Sequence, residues 1–162
     1  MRRTLATKTI GWAMLVVVLG ATAGAVRAAA APPAPPSVSI TVLGIRATAE
    51  ATPYVDPVLA PIANELKARS SKYNCFRKVV TEVKSVPVGG VADVSMIENY
   101  ALRVQVEKTI GNNVQLVISW LRLDKPGQPL QSVRLTIVKG KYLLSGGWDL
   151  KDGALWGAVA AQ

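Results

Sequence analysis

From Tyr73 onward the chain is a succession of short stretches in which apolar and polar residues alternate. The cleanest is Leu102, Val104 and Val106 interleaved with Arg103, Gln105 and Glu107. A period of two puts successive side chains on opposite faces of a strand, so this stretch predicts a strand with one face buried and one wet. Turn-forming residues separate the stretches: Gly89-Gly90, Gly111-Asn112-Asn113, Lys125-Pro126-Gly127, Lys139-Gly140-Lys141 and Asp152-Gly153. Two of these predict a register. A two-residue turn at Gly89-Gly90 sets Val83 opposite Met96, with Val79 and Val94 on the same face. A two-residue turn at Asp152-Gly153 sets Trp148 opposite Gly157 and Trp156 opposite Asp149, so that the two indoles point to opposite sheet faces.

Upstream, Val38, Ile40 and Val42 alternate with Ser39 and Thr41, which predicts a first strand from Ser37 to Thr48. Asp56-Pro57 is a helix-start pair: the carboxylate accepts free N–H groups of the first turn, and proline tolerates the first helical position. Leu59, Ile62, Ala63 and Leu66 follow at helical spacing. They predict one apolar stripe on a helix of about 10–14 residues. Pro61 conflicts with a start at Pro57, because its ring meets the carbonyl four residues back, and a start at Ala60 resolves the conflict. The expected fold class is α+β, with one helix against part of a mainly antiparallel β-meander sheet of about six or seven strands.

The N-terminus differs in composition from the rest of the chain. Arg2, Arg3 and Lys8 precede an apolar run from Ile10 to Val26, followed by Arg27 and the small residues Ala28 to Ala31. This is the anatomy of a secretory signal peptide, with cleavage expected near Ala28 to Ala30. The run is short and diluted by Gly11, Gly20, Thr22 and Gly24 for a membrane anchor, which needs about 20 apolar residues. The expected organisation is therefore a signal peptide over 1–30, a Pro/Ala-rich spacer over 31–36, and one domain over 37–162. Export sends the product to the periplasm or out of the cell, with no membrane attachment once the leader is removed.

Loss of the leader removes four cations (Arg2, Arg3, Lys8, Arg27) and lowers the formal charge from +9 to about +5. A domain of that charge is kept soluble by it, and nothing in it marks specific nucleic-acid recognition. The chain has no histidine. That excludes imidazole as general base, zinc ligand or activator of a nucleophile. Cys75 is the single cysteine, so no disulfide forms within the chain, and a small half-buried side chain beside Phe76 is expected. Asp149 to Gly153 lacks the alternating carboxylates of a calcium loop, and Gly146-Gly147 has no phosphate-loop context. No catalytic residue, metal site or cofactor is assigned, and an enzyme is not expected.

Two features suit ligand binding. The stretch from Lys67 to Lys78 interleaves Lys67, Arg69, Lys72, Arg77 and Lys78 with Tyr73 and Phe76, a pattern that can hold anions while rings stack. The same cations also suit the negative pole of a helix C-terminus, with no ligand required. Trp148 is the second feature, as an aromatic face that can stack on the apolar face of a sugar.

Several pieces of the chain resemble a group of uncharacterised small exported β-rich proteins of bacteria such as myxobacteria and planctomycetes. They are Asp56-Pro57-x-Leu59 with Leu66, Lys72-Tyr73-Asn74-Cys75-Phe76, Ile97-Glu98-Asn99-Tyr100-Ala101-Leu102, and Gly146-Gly147 through Asp152-Gly153-x-Leu155. The group usually carries a glycine near Tyr100, where this chain has none. The resemblance implies a bacterial envelope or secreted setting and carries over no functional residue. The functional expectation is an exported, non-enzymatic domain that binds or supports an envelope component or protein. The alternative is a polyanion- or glycan-binding module using the 67–78 segment or an exposed tryptophan.

Overall fold

Strand β1, Ser37–Thr48, lies at the centre of the structure and is apolar on both faces, as a doubly covered strand must be. The computed structural model describes residues 35–162, and these form one unit. The expected signal peptide and most of the Pro/Ala-rich spacer lie outside the described residues. After β1 come β2 (Tyr54–Val55), a 3-10 helix (Pro57–Ile62), helix α1 (Ala63–Arg69) and β3 (Cys75–Pro87). Then follow β4 (Val91–Ser95), β5 (Tyr100–Ile110), β6 (Asn113–Arg122), β7 (Gln131–Val138), β8 (Tyr142–Leu150) and β9 (Gly153–Ala161). The chain is thus mainly β with one short helical segment.

The strands make two sheets rather than one. The first has five strands in the order β2-β3-β1-β9-β8, and the second is a four-stranded meander, β4-β5-β6-β7. Val38, Ile40 and Val42 of β1 pack with Leu102, Val104, Val106, Leu116, Ile118 and Trp120 between the sheets. The opposite face of β1 presents Leu43, Ile45 and Ala47 to Leu59, Ile62 and Leu66 of the helical segment. The helix therefore covers part of one sheet face, while the second sheet covers the other.

The alternation of β5 is as predicted: Leu102, Val104 and Val106 are fully buried, and Arg103 is exposed. The helical segment differs in form. Asp56 Oδ1 accepts from Val58 N at 3.0 Å, as expected of a cap, but the first turns are 3-10 and the α-helix begins only at Ala63. Pro61 is the reason, since it cannot donate an interior helical bond. Cys75 is fully buried rather than half-buried, set opposite Thr48 in the β1–β3 ladder.

Gly89-Gly90 is a corner between sheets, not a hairpin turn. β3 pairs along its length with β1, from Ser37↔Pro87 to Thr48↔Cys75, and β4 pairs with β5. Val94 and Met96 are buried, whereas Val79 and Val83 are 37% and 63% exposed. A Gly-Gly pair permits either geometry, and the long ladder with a strand far upstream decides between them.

The last hairpin turns at Lys151-Asp152, one residue earlier than predicted, with Leu150 opposite Gly153. Gly153 is required by the approach of β1 instead: a Cβ there would sit 2.1 Å from the Ala47 carbonyl oxygen, and its φ is +116°. An irregularity at Gly147 shifts the ladder again, so Trp148 faces Leu155 and Gly146 faces Trp156. The two indoles still reach opposite faces, Trp148 toward the second sheet and Trp156 toward the helix.

Candidate binding cleft

β7 and β8 are edge strands of different sheets, and the Lys139-Gly140-Lys141 connection carries the chain from one to the other. Between them the sandwich is open. A cleft of about 710 Å³ is lined by Gln131, Val133 and Leu135 from β7, by Leu143 to Gly146 from β8, and by Arg69 and Trp156. Val133, Leu135 and Ile137 alternate along β7, but only Ile137 is buried; Leu135 is half-buried and Val133 is 39% exposed. Alternation by itself does not tell an edge strand from a central one.

A second hollow of about 400 Å³ adjoins the first, sharing Arg69, Gly146 and Trp156 with it and adding Ser70 to Tyr73, Gly147 and Ala154. The Trp156 indole leans on Gly147, where a Cβ would meet its Cζ2 at 3.1 Å. Ser70 Oγ and Trp156 Nε1 are buried here without a hydrogen-bond partner in the protein. Trp156 is therefore the tryptophan of the cleft. Trp148, the expected ligand face, packs edge-on to Trp120 at 6.2 Å within the sandwich.

The five cations of the 67–78 segment do not converge. Arg69 is tied to Glu65 at 2.8 Å and donates through Nη1 to the Leu144 carbonyl at 3.3 Å. Lys72 lies over the Tyr73 ring, 5.0 Å from its centroid, at the second hollow. Arg77 belongs elsewhere, opposite Arg46 in the ladder, 3.4 Å from Glu50 and 4.7 Å from the Tyr54 ring centroid. Lys78 is opposite Ile45, and it and Lys67 are exposed with no ion pair among the described residues. The end of the helix carries Arg69 toward β8, and the turn after it brings Lys72 there, while strand alternation separates Arg77 from Lys78.

All six arginines among the described residues are in ion pairs: Arg46–Asp152, Arg69–Glu65, Arg77–Glu50, Arg103–Asp93, Arg122–Asp124 and Arg134–Glu107. Arg103 and Arg122 each grip a carboxylate with two nitrogens, and that hold keeps Asp93 and Asp124 below the usual carboxylate range. Glu50 is also held low, first by the Thr48 hydroxyl at 2.9 Å, then by Cys75 and by Arg77. Of the lysines only Lys84 is ion-paired, to Glu82. The surplus positive charge therefore sits on lysines, as single point charges without a free bidentate fork.

Among the described residues no three His, Cys, Asp or Glu side chains gather as a metal site, and no helix is long and apolar enough to cross a membrane. Compared with known proteins, the chain matches no family model, no curated protein and no solved structure.

Proposed function

We propose that the protein is an exported, non-enzymatic binding domain of the bacterial cell envelope and that it binds its partner in the cleft between β7 and β8. One observation carries this reading. Val133 and Leu135 face inward from β7, yet they are left partly exposed at an open mouth beside Leu143 and Trp156. Apolar surface in a concave, pre-formed site is what a partner's apolar groups displace water from. The leader anatomy and the resemblance to small exported proteins support the setting. Intact mass of the product from an export-competent host tests it: cleavage near Ala28 to Ala30 is expected, and a full-length membrane-embedded product refutes it. For the cleft, the immobilised domain is challenged with envelope polymers, acidic glycans and envelope proteins. Retention should be lost in Val133→Glu, and equal retention by the variant refutes the assignment.

A second reading, polyanion or glycan binding at the smaller hollow, is favoured by the unpartnered Ser70 Oγ and Trp156 Nε1 beside Arg69 and Lys72. Polyanion binding releases counterions, so log affinity falls linearly with log salt. Because the five cations are scattered, heparin should be held only as feebly as by any domain of charge about +5. Retention beyond ~0.5 M salt, abolished when Lys67, Arg69, Lys72, Arg77 and Lys78 become Ser, would move this reading to first place.

A further inference from the structure

A sheet edge presents a row of main-chain donors and acceptors, and proteins usually blunt such rows. This fold blunts most of its own. β2 is two residues long. The rest of the β3 edge carries an irregularity at Val79 and the charges of Lys78, Glu82 and Lys84. On β4 the Lys84 ammonium donates to the Asp93 carbonyl. On β8 Arg69 donates to the Leu144 carbonyl, and the ladder is broken at Gly147.

β7 is different. Its pairing with β6 runs without a register shift from Asn113↔Val138 to Trp120↔Gln131. The Lys139 amide donates to the Asn112 carbonyl at 2.9 Å, which sets the phase of the ladder. Antiparallel bonding alternates, so the odd-numbered residues bond to β6, and Ser132, Arg134 and Thr136 turn their N–H and C=O groups outward. No hydrogen bond among the described residues reaches those main-chain groups. The cleft lies beside this edge, with Val133 and Leu135 on the adjoining inner face.

Resting on the binding reading above, we propose that β7 takes up an extended peptide segment of a partner protein as a fifth strand of the second sheet. The added strand's main chain bonds to Ser132, Arg134 and Thr136, and its alternate apolar side chains enter the cleft over Val133, Leu135 and Leu143. The segment is acidic on its other face. Arg134 at mid-strand is already paired with Glu107, but Lys139 and Lys141, just past the end of β7 and with no ion pair among the described residues, favour carboxylates, and they oppose a second copy of a domain that is itself of charge about +5.

The test uses amide hydrogen exchange with a pool of synthetic peptides of about ten residues, in which Val, Ile or Leu alternates with Asp, Glu or Thr. A binding peptide should slow exchange at Ser132, Arg134 and Thr136 and leave Val133 and Leu135 unchanged. Thr136→Pro removes one outward N–H and spares the β6 ladder, because edge strands tolerate proline there. It should weaken the peptide about tenfold, the scale of one main-chain hydrogen bond. Full binding by Thr136→Pro, with binding lost in Val133→Glu, overturns strand addition and leaves the cleft reading standing. Failure of every peptide also overturns it, and the binding reading falls with it only if the envelope polymers and proteins fail too. Protection of the three amides in the ligand-free protein overturns it as well, assigning the edge to a second copy if protection grows with concentration.

Discussion

The Trp120 indole of β6 lies directly over Gly157 of β9, so that the two sheets meet where one strand has no side chain. A Cβ at Gly157 would sit 2.9 Å from Trp120 Cζ2 and 3.3 Å from a Leu102 methyl. Trp120 is fully buried, packs edge-on to Tyr100 and Trp148, and donates from Nε1 to Ser145 Oγ at 2.9 Å. The largest side chain of the core therefore has a shape partner, two ring partners and a hydrogen-bond partner.

Gly157→Ala should destabilise the domain by about 1–3 kcal/mol, the range for over-packing a filled core. Chemical denaturation would report it as a lowered midpoint at unchanged slope. An unchanged midpoint would mean that the sheets separate at no cost.

Ser145→Ala leaves the buried Trp120 N–H without a partner and should cost about 1–3 kcal/mol. Trp120→Phe removes that N–H together with packing, so the double variant should lose less than the sum of the two singles. A double-mutant cycle by thermal melts measures the coupling. Strict additivity would show that the bond contributes nothing.

Val104→Asp puts an unpaired carboxylate between the sheets and should unfold the domain, at a cost of several kcal/mol. Its neighbour Arg103 faces solvent and pairs with Asp93 at 2.7 Å, so Arg103→Ser should cost less than about 1 kcal/mol. Far-UV circular dichroism separates the two, and similar melts would contradict the phase of β5.

Stability should be flat from about pH 7 to 5 and fall only below about pH 4. Glu50, Asp93 and Asp124 all titrate lower in the folded protein than ordinary carboxylates. Each contributes stability above its unfolded value, and the contribution is lost as pH falls through the folded one. With no histidine in the chain, no step belongs near pH 6. Thermal midpoints across this range test the expectation. Asp93→Asn and Asp124→Asn should each make the acid decline shallower.

Local chemistry alone determined a good deal. The alternation of Leu102, Val104 and Val106 set the buried face of β5, and Asp56-Pro57 set the start of the helical segment, because both depend only on neighbours in sequence. Gly111-Asn112 marked the β5–β6 hairpin for the same reason. Other features were decided by distant contacts. Gly89-Gly90 became a corner because β3 found β1, and Gly153 serves the approach of Ala47 instead of the turn. The cations from Lys67 to Lys78 look like one patch in sequence, but the helix, the turn after it and the strand send them to different places. The cleft was invisible for a deeper reason. Val133 and Leu135 carry the same apolar pattern that central strands carry, and only the order of strands in the sheet leaves β7 at an edge, with no strand beyond it among the described residues.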